Sequence, residues 1–230
     1  MSARRSGLAE TRAPGWDCDL YTEALDNGDP LYLCRAGLRP LPLDVERWRA
    51  GPDPADTTVL DRSEEPVLDV GCGPGRMVSA LIERGQRALG IDVHPVAVAR
   101  AAEAGGRVLC RSVFERLPDE GEWRTALLVD GNIGIGGDPH ALLTRLGAVV
   151  RPHGVLLVEA APDDVDERMS VHLADGSGRS GDPFPWAVVG LPALAGLAEA
   201  AGWRTGASWT AEGRTFAALH RTGSAAADPR

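Results

Sequence analysis

The feature that most constrains this chain is the run from Val67 to Arg76, a strand-length stretch that empties into a turn with glycine at 71, 73 and 75 before helix-forming residues resume. A buried strand that stops in such a turn and restarts as a helix points its carboxyl end at a crevice. Without Cβ atoms on one side of the turn, backbone can approach a bound molecule closely. The dinucleotide version of this loop wants a small residue where Arg76 stands, and Pro74 removes an amide donor that a pyrophosphate would use. Asp69 at the strand end would repel a phosphate and attract an ammonium. The loop therefore suits a ligand whose recognised group carries positive charge.

Around this loop the hydrophobic pattern repeats. Short apolar runs at 67–70, 88–93, 107–113, 126–130 and 155–159 are separated by helical stretches at 76–84, 95–104 and 140–150. Such alternation predicts buried parallel strands with crossover helices on both faces. Further along come a polar loop at 161–166, a weakly alternating strand at 168–173, a Gly/Asp/Pro-rich loop at 175–185 and a helix at 191–201. Two closing strands, 203–210 and 214–220, flank the Glu212-Gly213 turn, which favours an antiparallel hairpin at the sheet edge. The expected architecture is a Rossmann-like, doubly wound α/β/α sheet of seven strands spanning 66–222. Residues 1–65 read as helix and loop, with Tyr21, Tyr32 and Trp48 suited to a substrate lid, and 223–230 read as a disordered tail.

Composition narrows the partners. A net charge of −9 opposes a nucleic-acid backbone, and every basic side chain apart from histidine is arginine. Cys18, Cys34, Cys72 and Cys110 form no Cys-x-x-Cys pair and have no histidine at ligand spacing, so neither a disulfide framework nor a metal site is expected. The apolar runs are far shorter than the roughly 18 residues of a membrane span. The expected protein is cytoplasmic, acting on a small molecule without membrane or nucleic acid.

Asp69, Gly71, Gly73 and Gly75 fill the pattern acidic-x-Gly-x-Gly-x-Gly, by which the chain resembles the class I S-adenosylmethionine-dependent methyltransferases from residue 66 to about 220. The resemblance implies S-adenosyl-L-methionine as cofactor, with Asp69, Gly71, Cys72, Gly73 and Gly75 around it. Asp92, which ends the second strand 21 residues after Gly71, would meet the ribose hydroxyls, or else cap the helix after Pro95. Val93, Ser112, Val113 and Phe114 would enclose adenine, Ser112 standing where the family often has Asp. Phe114 reads equally as a core ring.

Asp130 and Gly131 would border the reacting end. The segment 128–139 holds Asp130 and Asn132, candidates for a base and for an acceptor-orienting group, or alternatively the halves of an Asx turn whose glycines only bend the chain. Histidine is the residue type suited to a general base near neutral pH, which makes His94, His140, His153 and His172 candidates, but none pairs with another by spacing and they read equally as surface or capping residues; His172 and Glu159 sit in or near the insertion that faces the acceptor in this family. No Asp/Asn-Pro-Pro-aromatic motif and no Pro-Cys nucleophile is present, and Asp163-Asp164 stands where metal-assisted members carry Asp-Asn, which reads as a solvated loop, with a magnesium site as the alternative. The implied activity is SN2 methyl transfer to an O, N or C of a small acceptor. A non-catalytic S-adenosylmethionine binder and an NAD-dependent oxidoreductase are the alternatives.

Overall fold

The structure is a computed structural model and describes residues 18–222; the two terminal tails, including the expected disordered stretch 223–230, lie outside the described residues. In chain order the elements are α1 (Cys18–Asn27), β1 (Leu31–Cys34), β2 (Leu41–Leu43), α2 (Val45–Arg49), α3 (Pro54–Leu60) and β3 (Val67–Val70). They continue with α4 (Arg76–Glu83), β4 (Ala88–Asp92), α5 (Pro95–Glu103), β5 (Val108–Cys110) and β6 (Trp123–Leu128). A kinked 3-10 segment (Asn132–Gly137) leads to α6 (Pro139–Val149), β7 (Val150–Ala160), β8 (Asp166–Asp175), β9 (Phe184–Val189), α7 (Leu191–Ala200), β10 (Trp203–Ala211) and β11 (Arg214–Arg221).

Seven strands form one sheet in the order β10-β11-β7-β6-β3-β4-β5, parallel from β7 to β5 and antiparallel at β11 and β10. This is the Rossmann-like arrangement, with its switch point at β3, which pairs with β4 on one side and β6 on the other. Alternation along the strands divides the burial. Leu68 and Val70 enter a cluster with Leu128, Leu142, Leu156 and Trp203, whereas Val67 and Leu127 point to the other face, with Val59, Leu81, Leu157 and Phe216. Each fully buried leucine or valine contributes about 1.5–3 kcal/mol of transfer free energy, and strands apolar on both faces need helices on both sides.

A second sheet, β2-β1-β8-β9, is antiparallel throughout and brings the beginning of the chain against the insertion after β7. Its inner face carries Leu31, Val171, Leu173 and Phe184, packed against Leu20, Tyr21 and Leu25 of α1 and Ala97 of α5. The early segment thus adds two short strands to what its sequence presents as helix and loop. β1 and β2 are too short to show alternation, and Leu31 gains its burial from a partner more than a hundred residues away. β9 also corrects the loop expected at 175–185, which ends earlier; Pro185 sits in an edge strand, where a missing amide is tolerated. In the main sheet, the strand expected at 107–113 is confined to Val108–Cys110, and the one expected at 126–130 is shifted to Trp123–Leu128. Asp130 follows it in left-handed backbone, at φ 58°.

Candidate active site

The carboxyl ends of β3, β4, β5 and β6 open on one cavity of about 340 Å3. Its floor is the glycine turn. Gly75 has φ 93°, and a Cβ there would lie 2.6 Å from the Ala101 Cβ on α5, so only glycine lets α4 and α5 close beneath the loop. On the other side the amide of Asn132 donates to the carbonyls of Val70 (2.9 Å) and Gly71 (3.0 Å). Both of its amide hydrogens are committed there. Asn132 therefore clamps the glycine turn to the loop after β6.

Two carboxylates face the cavity from neighbouring strand ends. Asp69 is 1% exposed, and its Oδ1 has no hydrogen-bond partner among the described residues. Burial, reinforced by the charges of Asp130 and Asp92, pushes its carboxyl up to about 8. Asp92 accepts from the backbone amides of Gly73 (2.8 Å) and His94 (2.8 Å). Desolvation raises its carboxyl, and these backbone donors oppose the rise. Asp92 is not the cap of α5; the His94 side chain accepts from the Ala97 amide in that role. Val93, Ser112, Val113 and Phe114 line the same cavity beyond Asp92, with the Phe114 ring against the backbone of Gly136. Cys72 is buried in the turn, and burial pushes its thiol up.

Asp130 lines the cavity but belongs to a charge network. Its carboxylate meets Arg76 (2.6 Å), Arg47 (2.8 Å) and Arg214 (3.1 Å), and its backbone amide donates to Glu159 (2.6 Å). Arg214 also bonds Asp56 (2.8 Å) and Glu159 (2.6 Å), and Arg76 contacts Asp56. With three guanidinium groups on its oxygens, Asp130 is an ion-pair hub rather than an acceptor-facing base, and Glu159 is one of its neighbours in that hub. The network ties α2 and α3 to the strand ends, so Arg76, out of place in a dinucleotide loop, has a local reason here.

His172 corrects a further expectation. It pairs with Cys34 across β8 and β1, and successive side chains on a strand point to opposite faces. Val171 and Leu173 take the inner face, so His172 lies on the outer one and is not among the cavity-lining residues. Tyr32 is outward for the same reason. Tyr21 and Trp48 do line the cavity, with ring centroids 6.1 Å apart and edge-on, and Tyr21 meets His94 at 4.7 Å. Sequence reasoning missed Leu33, Leu43, Phe184 and Trp186, which complete the upper wall. The alternation of Phe184, Trp186 and Val188 was the available signal.

Known proteins share this layout. Residues 67–154 match a family model described as a methyltransferase domain. Over that stretch the chain is similar to methyltransferase domains. Along 97 residues, 40% of this chain and 38% of the other, it is 35% identical to a ubiquinone biosynthesis O-methyltransferase of Azorhizobium caulinodans. A trans-aconitate 2-methyltransferase of an Enterobacter species is 29% identical over 143 residues, 60% of this chain and 55% of that one. The chain thus spans about two fifths to just over half of the length of these relatives. Among solved structures, an S-adenosylmethionine-dependent methyltransferase from Bacteroides fragilis in complex with S-adenosyl-L-homocysteine superposes with a TM-score of 0.75 at 19% identity, covering 89% of this chain and 94% of that one. The 1,6-didemethyltoxoflavin N1-methyltransferase of Burkholderia thailandensis gives 0.59 at 21% identity, over 96% and 93%. These likenesses concern the fold of the methyltransferase domain. In the described residues no helix is long and apolar enough to cross a membrane, and no group of three or more potential ligands is placed to hold a metal.

Proposed function

We propose that this chain transfers a methyl group from S-adenosyl-L-methionine to a small-molecule acceptor. The observation that carries the reading is Asp69: a buried carboxylate with an unsatisfied oxygen, beside a turn built to admit a ligand backbone-close, is a site for an ammonium. Asp92, already braced by two backbone amides, retains lone pairs for a pair of ribose hydroxyls. The wall from Val93 to Phe114 would hold adenine, and Gly71, Cys72 and Gly73 would follow the chain of the cofactor toward Asp130, whereas Gly75 and Gly131, expected beside it, are not among the cavity-lining residues and would act by shaping the two turns.

When bound, S-adenosylmethionine supplies a methyl group on a sulfonium, an electrophile that a nucleophilic O, N or C attacks in line. What the protein adds is position and exclusion of water, which together lower the barrier to exchanging the carbon–sulfur bond for the bond to the acceptor without a covalent intermediate on the protein. The segment containing α1, β1, β2 and α2 would serve as part of the cover, through Tyr21, Leu33, Leu43 and Trp48, over the domain at 66–222. The acidic net charge of −9 favours a small acceptor over a nucleic acid.

Incubating the purified protein with S-adenosylmethionine and a panel of small hydroxyl and amine compounds, and measuring S-adenosylhomocysteine by mass spectrometry, tests the activity. The expected result is acceptor-dependent product, reduced at least about tenfold by Asp92→Ala. Cofactor binding without turnover on any acceptor would reduce the protein to a binder.

A further inference from the structure

The upper wall of the cavity differs from its floor in kind. Trp48, Phe184 and Trp186 bring rings to it from α2 and β9, and Leu33, Leu43 and Ile135 fill between them. β9 reaches this position because the loop after β6 is stripped to glycine beneath it. A Cβ on Gly134 would stand 2.2 Å from the Ala187 carbonyl oxygen and 2.7 Å from the Trp186 indole, and one on Gly137 would stand 2.7 Å from Pro185. The glycines of 134–137 are therefore a seat for the strand that carries Trp186, beyond any bend they give the chain.

The charges in the cavity point the same way. Two guanidinium groups occur among the described lining residues. Arg76 is consumed by Asp56 and Asp130, and Arg111 is exposed at the far end, beside Ser112, with its guanidinium donating to the Arg116 carbonyl. His94 is buried and takes the Ala97 amide at Nδ1 as the cap of α5. Against these stand the carboxyl groups of Asp69, Asp92 and Asp130. A multiply charged anion brought against the upper wall would lose its hydration with no cation on that wall to replace it. Flat apolar rings, by contrast, gain from offset or edge-on packing against aromatic walls.

We propose that the acceptor is a flat, uncharged aromatic or heteroaromatic molecule held against Trp48, Phe184 and Trp186, and that this site refuses polycarboxylates; the inference rests on the cofactor reading above for the identity of the neighbouring subsite. Calorimetric titration tests it, on the protein alone and saturated with S-adenosylhomocysteine, using quinoline, naphthalene-2-carboxylate and the tricarboxylate trans-aconitate as probes. Quinoline is expected to bind, the naphthoate at least about tenfold more weakly, and trans-aconitate not measurably. Trp186→Ala is expected to weaken quinoline about tenfold while S-adenosylhomocysteine affinity stays within about threefold. Leu43→Arg, which adds a cation to the upper wall, is expected to raise naphthoate affinity, a gain that misfolding cannot imitate. Absence of quinoline binding, equal or tighter binding of either carboxylate, or indifference to both substitutions overturns the proposal. Failure of S-adenosylhomocysteine alone to bind would instead overturn the cofactor reading, and quinoline titrated on the protein alone still reports on the upper wall.

Discussion

The two halves of the cavity are built on opposite principles. The floor, from β3 to β6, is assembled from contiguous motifs whose side chains are polar: the buried Asp69, and the half-buried, cross-braced Asp92, Asn132 and network around Asp130. The upper wall is drawn from residues far apart in the chain, 21–48 and 184–186, and is held by apolar packing on a second sheet. A charged floor fixes one ligand in one orientation, because each buried polar group demands its partner. An apolar wall specifies shape and the lack of charge, and changes of residue there alter preference without dismantling the fold.

Substitutions should separate the halves. The largest effect on the ion-pair network is expected from Arg76→Ala: its side chain is 3% exposed, and removing it leaves the fully buried Asp56 with Arg214 alone, shared with Asp130. Loss of one partner of a buried pair costs about 3–5 kcal/mol, to be read as a lowered urea midpoint at constant slope. Next comes Gly75→Ala, where left-handed backbone and the contact with Ala101 add to about 2–4 kcal/mol, and S-adenosylhomocysteine binding should fall with stability. Gly134→Ala should do the reverse. By pushing β9 from its seat it should abolish quinoline binding while leaving S-adenosylhomocysteine affinity within about threefold, as calorimetry would show. If both glycine variants lose both ligands alike, the halves are not independent.

A further effect concerns protons. The Asp69 carboxyl, raised to about 8 in the folded protein against about 4 in an unfolded chain, binds more protons folded than unfolded between those values. Its contribution to stability is therefore complete below about pH 4 and is lost as pH rises through 8. Asp69→Asn should flatten that decline in pH-dependent thermal melts. An ammonium placed beside Asp69 favours the carboxylate, so ligand binding near pH 7 should release up to about one proton. Calorimetry in buffers of different ionisation enthalpy measures that release, and Asp69→Asn should remove it.

Legibility in the sequence follows the same division. The floor could be read because strand period, glycine spacing and the acidic residue after the second strand all lie within local windows, and β3, β4, α4 and α5 fall close to their expected limits. The roles of Asp130 and His172 could not. One depends on arginines at 47, 76 and 214 converging through the fold, and the other on which face β8 turns inward, which pairing with β1 decides. β1 and β2 were illegible because strands of three or four residues carry no period, and β9 because Pro185 and the preceding loop hide its start.

Whether the Asp69–Asp92 floor holds S-adenosylmethionine is decided by titrating the purified protein with S-adenosylhomocysteine and, separately, NAD. One S-adenosylhomocysteine per chain is expected, with affinity falling at least about tenfold in Asp92→Ala and no heat from NAD. Binding of NAD without S-adenosylhomocysteine, or S-adenosylhomocysteine affinity unchanged by Asp92→Ala, would contradict that placement.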